Sequence, residues 1–241
     1  HRITAKTATV IAAYHRLREG HEPIAPRADL SHSANFLYML NGREPDAEVA
    51  RDFDVCLVLH ADHGFNASTF SARVTASTLS DMHSAITSAI GTLKGPLHGG
   101  ANEAVMHMLE DIGTAEKAEQ YIVEKLGAKE KIPGFGHRIY KVLDPRAPYL
   151  KDMSHRLGQR GGNLSWYEMS MKIQSKVKAM KGLDANVDFY SASTYHSMGS
   201  APDWFPPIFA LSRVADASAH AYEPPAAPPL YRPIARVIRT P

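Results

Sequence analysis

Side chains suited to acid–base chemistry gather in four polar segments that interrupt stretches of helical apolar spacing. The segments are residues 60–68, 95–102, 134–146 and 186–191. In the second segment, His98 lies between a Gly-Pro pair and a Gly-Gly pair, directly before an apolar helical pattern. Proline interrupts a helix, and glycine lets the backbone approach a ligand closely. The pattern predicts an imidazole at the start of a helix, where unpaired N–H groups attract an anion.

Two imidazoles capable of being neutral, one carboxylate and two or three arginines from the chain match a recognisable chemical demand. Removal of a proton next to a carbonyl needs a base and a hydrogen-bond donor for the developing enolate oxygen. Addition of that carbon to a second carbonyl needs another donor, and arginines hold carboxylates through forked hydrogen bonds. These residue types favour carbon–carbon bond formation on a dicarboxylate or tricarboxylate, without a metal or a redox cofactor.

The same residues also fit ordinary structural roles. A helix C-terminus favours a histidine such as His60, and an aspartate such as Asp188 before a helical stretch is commonly an N-cap. Residues 134–146 fit a solvated loop followed by a capped helix. His60, His63 and His98 are also candidates for a zinc site, although no cysteine or glutamate completes a familiar ligand spacing.

The elements that position these residues are all predicted to be helices. Apolar residues recur at helical spacing through most of the chain, and no stretch shows convincing period-two alternation. The first helix is predicted to turn Val10, Ile11, Tyr14 and Leu17 to one side. Helix starts are predicted at Pro45-Asp46, Thr114, Asp144-Pro145, a capping box at Ser165 and Glu168, and Pro206-Pro207. The predicted fold class is all-α, without an internal repeat or a linker between independent halves.

Composition limits the remaining possibilities. The 241 residues, 44% of them hydrophobic and 22% charged, suit one large globular domain or two small ones. A net charge of +2 without runs of basic residues argues against a nucleic-acid surface. Cys56 is the one cysteine and has apolar neighbours, so we expect a buried thiol, no intrachain disulfide and a cytoplasmic protein. No signal peptide or membrane span is expected.

The motifs resemble those of the citrate synthase family. They read HADH at residues 60–63, GPLHGGAN at 95–102, PGFGH at 133–137 with DPR at 144–146, NVD at 186–188, and FALSR at 209–213. Each is weak alone, but all five occur in family order. The resemblance implies an all-α homodimer with a large and a small domain. It implies a transferase that condenses acetyl-CoA with oxaloacetate and hydrolyses the thioester to give citrate and coenzyme A. No cofactor is implied, since coenzyme A arrives as the substrate thioester.

The resemblance also implies roles for individual residues. His98 would donate to the enolate oxygen, Asp188 would take the methyl proton, and His137 would polarise the oxaloacetate ketone. Ser68 would orient His98. Oxaloacetate or citrate ligands would be His63, Arg146, Arg213 and, reaching into the partner subunit's site, Arg232. Coenzyme A would contact Ile132, Pro133, Gly134, Phe135 and Gly136 through its adenine and Lys141 through a phosphate.

The same resemblance gives domain boundaries and shows three departures from the family pattern. Residues 1–100 and 196–241 would belong to the large domain, and residues 101–195 would form the small domain that binds coenzyme A. The chain starts well inside the family pattern. Residues 215–220 replace a more apolar continuation of the helix, and prolines follow at 224–229.

Two alternative functions stay open: a 2-methylcitrate synthase that uses propionyl-CoA, and a non-catalytic fragment that binds coenzyme A or dimerises.

Overall fold

A computed structural model describes residues 1–137, 140, 142–223 and 230–231, and within these residues the protein is helical. Eleven α-helices occur there: α1 (Arg2–Arg18), α2 (His32–Asn41), α3 (Ala47–Ala61), α4 (Ala67–Ala76), α5 (Met82–Leu93), α6 (Ala101–Ile112), α7 (Ala118–Gly127), α8 (Ala147–Arg160), α9 (Ser165–Lys181), α10 (Val187–Ser197) and α11 (Phe205–Tyr222). A 3₁₀ turn, Pro202–Trp204, precedes α11. One isolated β-bridge joins Phe135 to Ala185. The all-α prediction is confirmed.

Polar N-caps explain where several helices begin. The side chains of Ser31, Asp46, Asn66, Asp81 and Asn186 each accept a hydrogen bond from a first-turn N–H. Such a bond satisfies one of the N–H groups that has no partner inside the helix. The start predicted at Pro45-Asp46 is therefore confirmed. The start predicted at Pro206-Pro207 is also confirmed, because these prolines occupy the first turn of α11.

Two predicted helix starts are displaced. Thr114 is not an N-cap, because a turn over residues 114–117 comes first and α7 begins at Ala118. Asp144 is not the N-cap of α8, which begins at Ala147 after Arg146. In both places the chain makes one more turn before the helix proper.

The predicted capping box at Ser165 and Glu168 is wrong. Ser165 is the first helical residue of α9, and its hydroxyl donates to Asn163 Oδ1 at 2.6 Å. The same oxygen accepts the Ser165 N–H at 3.0 Å. Asn163 therefore satisfies the N–H group that the capping box was expected to serve.

The predicted apolar face of α1 is also wrong. The helix forms, but Val10, Tyr14 and Leu17 are 65%, 63% and 59% exposed. Its buried residues are Ala8 and Ala12, through which α1 packs against α2 and α11. Small side chains allow this close approach of the helices, and of the four predicted residues Ile11 packs partly buried against the core while the other three lie on the outer side.

The core places two groups of helices around the polar segments. Helix α11 packs against α1, α3, α4 and α5, whereas α10 packs against α6, α8 and α9. One buried cluster runs through both groups, and a smaller one lies between α4, α5 and α11. Cys56 is fully buried as expected, which raises the pKa of its thiol. The division into domains at residues 100 and 195 stays a prediction. No helix among the described residues has the length and apolarity needed to cross a membrane.

Candidate active site

His98 lies in a tight turn between α5 and α6. Its N–H donates to Gly95 O at 2.9 Å, and the Gly99 N–H donates to Leu93 O at 2.8 Å. A Cβ atom on Gly99 would lie 2.4 Å from that Leu93 oxygen, so only glycine fits this position. The turn is therefore held against the end of α5, and it sets the direction in which the imidazole leaves the backbone.

The first turn of α4 determines which nitrogen of His98 carries the proton. The Ser68 N–H donates to His98 Nε2 at 3.2 Å, and the Ser68 hydroxyl lies 3.0 Å from the same nitrogen. A backbone N–H needs an acceptor, so Nε2 is unprotonated and the neutral ring carries its hydrogen on Nδ1. Burial, with Arg213 nearby, lowers the pKa of His98 to about 4. The ring is a neutral Nδ1–H donor at physiological pH.

His137 and His63 meet on the other side of the site. Their Nε2 atoms are 3.2 Å apart, and the ring of Tyr140 packs against both. The Tyr140 N–H donates to His137 Nδ1 at 3.0 Å. In a neutral His137 ring the hydrogen is therefore on Nε2, which donates to His63 Nε2. Burial is the largest cause that lowers the pKa of His63, and Arg146 and His137 act in the same direction.

The loop before His137 is fastened to the start of α10. The Asn186 N–H donates to Gly134 O at 2.9 Å, and the Gly136 N–H donates to Asp184 O at 3.1 Å. Asn186 Nδ2 also donates to Gly136 O at 2.9 Å. Gly134 has a φ of +79°, and a Cβ there would lie 2.9 Å from Phe189. These contacts tie the position of His137 to the helix that carries Asp188.

Asp188 is the second residue of α10 and is not its N-cap. Asn186 has that position, and its side-chain oxygen accepts the Asp188 N–H at 3.0 Å. Asp188 Oδ1 is buried and has no hydrogen-bond partner among the described residues. Burial raises the pKa of Asp188 to about 6, although Arg146 and Arg213 oppose the increase. The carboxylate is thus ionised at neutral pH but poorly solvated, as suits a base.

Arg146 is held in place by Asp144. Its Nε and Nη2 atoms donate to the two carboxylate oxygens at 2.9 Å and 2.8 Å. Asp144 also accepts the Val187 N–H at 3.1 Å, so it joins Arg146 to the start of α10. Burial raises the pKa of Asp144, but the hydrogen bonds from Arg146 outweigh it and the net change is a decrease.

Arg213 brings a buried positive charge from α11. It is 3% exposed, its Nε donates to His60 O at 2.8 Å, and its guanidinium lies over the Phe209 ring. Its Nη1 is buried without a hydrogen-bond partner among the described residues. Burial lowers the pKa of Arg213 to about 10, so it stays charged at neutral pH. An unpaired buried cation calls for an anionic ligand.

The three histidines of the zinc hypothesis contact different partners. His60 Nδ1 donates to Cys56 O at 2.8 Å, whereas His63 meets His137 and His98 meets Ser68. Within the described ranges, these three do not form a group of metal ligands. His60 instead contributes its carbonyl oxygen to the position of Arg213.

The remaining predicted residues have mixed outcomes. Ile132 is buried, and Phe135 packs on Phe189 with ring centroids 4.6 Å apart. Contact of residues 132–136 with coenzyme A stays a prediction. Lys141 and Arg232 lie outside the residues that the structure describes.

Comparison with known proteins gives a consistent result. The family "Citrate synthase, C-terminal domain" matches residues 1–234. The chain belongs to the citrate synthase family. Citrate synthase 2 of Bacillus subtilis is 56% identical over 222 residues, covering 92% of this chain and 60% of that protein. A 2-methylcitrate synthase of Mycobacterium tuberculosis is 42% identical, covering 97% of this chain and 59% of that protein.

A solved citrate synthase also matches the fold. It comes from the archaeon Thermoplasma acidophilum and is a ternary complex with carboxymethyl coenzyme A and oxaloacetate. Its TM-score is 0.85 at 31% identity, covering 99% of this chain and 66% of that one. The chain spans about three fifths of the length of the curated citrate synthases that it matches.

The sequence did not reveal the roles of three residues that organise this candidate active site. Asn186 caps α10 and holds the His137 loop, Asp144 pairs with Arg146, and Asn66 caps the helix that carries Ser68. Each lies within two residues of a predicted site residue. Their short distance in sequence from those residues, together with side chains that commonly accept backbone N–H groups, is the signal that could have identified them.

Proposed function

We propose that this chain carries the condensing site of a citrate synthase, which joins acetyl-CoA to oxaloacetate and hydrolyses the product thioester to citrate and coenzyme A. The observation that carries the proposal is the contrast between two groups of opposite function. His98 is a neutral Nδ1–H donor, and Asp188 is a half-buried residue whose carboxylate Oδ1 is buried and has no hydrogen bond among the described residues. Such a pair suits proton removal from a carbon next to a carbonyl.

In the first step Asp188 removes a proton from the acetyl methyl group. The C–H bond breaks, its electron pair moves into the carbonyl, and His98 Nδ1–H donates to the resulting enolate oxygen. A thioester methyl group is too weak an acid for a carboxylate acting alone, so the hydrogen bond must lower the barrier. A neutral donor suits this site because a protonated His98 would add charge close to Arg213.

In the second step the enolate carbon attacks the ketone carbon of oxaloacetate. His137 Nε2–H, which donates to His63 Nε2 in the free protein, would exchange that partner for the ketone oxygen, which becomes the hydroxyl oxygen of the product as it gains a proton. His63, Arg146 and Arg213 bind the carboxylates of oxaloacetate. The unpaired Nη1 of Arg213 supports its role, since a substrate carboxylate would supply the missing acceptor. Water then hydrolyses the citryl thioester and releases coenzyme A.

The proposal extends to partners and assembly. Residues 132–136 would receive the adenine of coenzyme A and Lys141 one of its phosphates, with no metal or organic cofactor. Two copies of the protein would form a homodimer in which Arg232 reaches the partner's site. These assignments follow the family resemblance, and the names of the relatives support the substrate classes.

A second candidate function is 2-methylcitrate synthesis from propionyl-CoA. The 42% identity with a 2-methylcitrate synthase supports this candidate. Propionyl-CoA carries one more methylene than acetyl-CoA, and such a difference is worth about 1–3 kcal/mol of discrimination in an apolar pocket. A third candidate, a non-catalytic fragment, rests on the three-fifths coverage of the curated relatives.

The experiment measures coenzyme A thiol release from acetyl-CoA and from propionyl-CoA, each with and without oxaloacetate. It uses this chain and, if one exists, a longer protein that contains it. Oxaloacetate-dependent release supports the proposal, and the ratio of the two rates chooses the acyl group. Asp188→Asn should reduce turnover by about 10³-fold or more while oxaloacetate affinity is kept.

The matched control is Asp184→Asn, four residues earlier, where the carboxylate pairs with Lys178 at the surface. The control should retain full turnover. Oxaloacetate-dependent release by the longer protein but not by this chain would favour the third candidate, a non-catalytic fragment. Its absence from both proteins would overturn the proposal.

A further inference from the structure

Asp216 places a buried carboxylate behind the predicted active site. It lies on α11 one turn after Arg213, in the segment that departs from the family pattern. Its Oδ2 accepts hydrogen bonds from the Thr69 hydroxyl and from Asn66 Nδ2, the latter at 3.3 Å. Its Oδ1 lies 3.3 Å from His220 Nε2. None of these partners is a predicted substrate ligand, and no step of the proposed reaction uses the carboxylate.

These contacts lead directly to His98. Asn66 is the N-cap of α4, and its Oδ1 accepts the Thr69 N–H at 3.1 Å and the Ser68 hydroxyl at 2.7 Å. A carboxylate only accepts hydrogen bonds, so the NH₂ end of the Asn66 amide faces Asp216, and the same NH₂ group also donates to Thr69 Oγ1 at 2.8 Å and to Gly64 O at 3.3 Å. The oxygen end must then face Ser68, whose hydroxyl donates to it and whose N–H donates to His98 Nε2. Asp216 thus orients the cap that orients His98.

His220 limits how Asp216 can adapt. Arg73 Nη1 donates to His220 Nδ1 at 3.0 Å, and an arginine has no acceptor to offer in return. His220 in its neutral form therefore carries its hydrogen on Nε2, which faces Asp216 Oδ1 at 3.3 Å. This arrangement also argues against a metal ion at Asp62, Asp216 and His220, which lie close enough together to bind one. The His220 Nε2 lone pair that a metal needs is replaced by a hydrogen.

We propose that Asp216 and Asn66 act together as positioning residues that hold His98 in its Nδ1–H tautomer. His220, oriented by Arg73, keeps Asp216 in place. The arrangement itself is a property of the free protein. Its effect on turnover rests on the proposed function, since only a condensing enzyme would use the Nδ1–H group of His98.

The pair permits a test by exchange of donor and acceptor. In Asp216→Asn, the new amide must point its NH₂ either at the Asn66 NH₂ or at the His220 Nε2–H, so one donor–donor contact is unavoidable. In Asn66→Asp, two carboxylates face each other, although aspartate caps a helix as well as asparagine does. In the double variant, the new amide donates to the new carboxylate and turns its oxygen to the His220 Nε2–H, so both the donor–donor and the carboxylate–carboxylate contacts are removed.

The first readout is the pair of imidazole ¹⁵N chemical shifts of His98 in the free protein, assigned with His98→Gln and recorded at about pH 8, above the pKa of an ordinary histidine. We expect a protonated Nδ1 and an unprotonated Nε2 in the parent protein. Each single variant should move the two shifts toward each other as the tautomers mix. The double variant should restore the parent values. A merely structural role of Asp216 would change stability without changing these shifts.

The second readout is steady-state kinetics with oxaloacetate. We expect kcat to fall by about tenfold in each single variant, with KM for oxaloacetate within about twofold, and to recover in the double variant. The control is Asp81→Asn, the same chemical change at the N-cap of α5, which packs on α4 without contacting His98. It should change neither readout.

Single variants with parent-like shifts would overturn the proposal, as would a double variant no better than the worse single one. If a single variant fails to fold, recovery in the double variant is the deciding result. If the parent itself releases no coenzyme A, the proposed function fails, whereas the chemical shifts still test the positioning of His98.

Discussion

Replacement of Asp188 by asparagine should make the protein more stable while it abolishes turnover. Burial raises the pKa of this carboxyl from 3.8 to about 6, even with Arg146 and Arg213 nearby. At 1.36 kcal/mol for each pKa unit, the difference corresponds to about 3 kcal/mol by which the ionised carboxylate destabilises the folded state. Asparagine keeps the shape and removes the charge. We expect the free energy of unfolding to rise by about 2 kcal/mol, since the buried amide has its own desolvation cost.

The pH dependence of that difference follows from the same linkage. Between the two pKa values the folded state holds a proton on Asp188 that the unfolded state has lost, so the parent loses stability as pH rises from about 4 to about 6. The asparagine variant lacks this loss. Its advantage should be about half developed at pH 5 and complete at about pH 7.

Urea unfolding followed by circular dichroism measures the effect as a higher midpoint with an unchanged slope. The control is Asp184→Asn, whose carboxylate is paired with Lys178 at the surface, where such pairs contribute about 0–1 kcal/mol. A midpoint for Asp188→Asn at or below that of the parent protein at about pH 8 would refute the reasoning. It would mean that Asp188 stabilises the fold and is not a charge held ready for a reaction.

Three further predictions concern activity and packing. We expect kcat/KM to rise as the pH passes about 6, because Asp188 of the free protein, with Asp144 and the site arginines nearby, ionises there. A profile that is flat from about pH 5 to 8 would count against Asp188 as the base. Arg213→Ala should raise the dissociation constant for oxaloacetate by about 10²-fold, measured by calorimetry, since it removes a desolvated ionic hydrogen bond; an unchanged constant would exclude that role. Gly99→Ala should lower the unfolding free energy by about 1–3 kcal/mol because its Cβ meets a backbone oxygen at 2.4 Å, whereas Gly91→Ala in α5, with open space around the Cβ, should be neutral or stabilising.

The fold class and much of the site could be predicted because they depend on local patterns. Apolar residues at helical spacing predicted the helices, and the Gly-Pro and Gly-Gly pairs around His98 predicted a tight turn. Gly99 proves to be required by the Leu93 oxygen. The outward face of α1 could not be predicted from the same spacing. Val10 and Tyr14 have the periodicity of a buried face, but tertiary packing chose the alanine side of the helix.

Pairings between distant segments were also beyond the sequence. Nothing near Asp216 in the chain indicates that it contacts Asn66, 150 residues away, or that His220 is oriented by Arg73. Asp144 was predicted to cap a helix, a reasonable use of an aspartate before proline. Its carboxylate instead binds Arg146 and the Val187 N–H, because α10 approaches from another part of the chain.

Backbone N–H groups decide the protonation of the two central histidines. The Ser68 N–H makes His98 an Nδ1–H donor, and the Tyr140 N–H makes His137 an Nε2–H donor. Both N–H groups belong to the backbone and remain when the side chain of their residue is changed. A variant of Ser68 that loses only the hydroxyl therefore still supports the Nδ1–H tautomer of His98. Loss of the α4 cap removes that support, because it moves the N–H itself. The N-cap Asn66, and Asp216 behind it, should therefore matter more to the His98 tautomer than the Ser68 hydroxyl does.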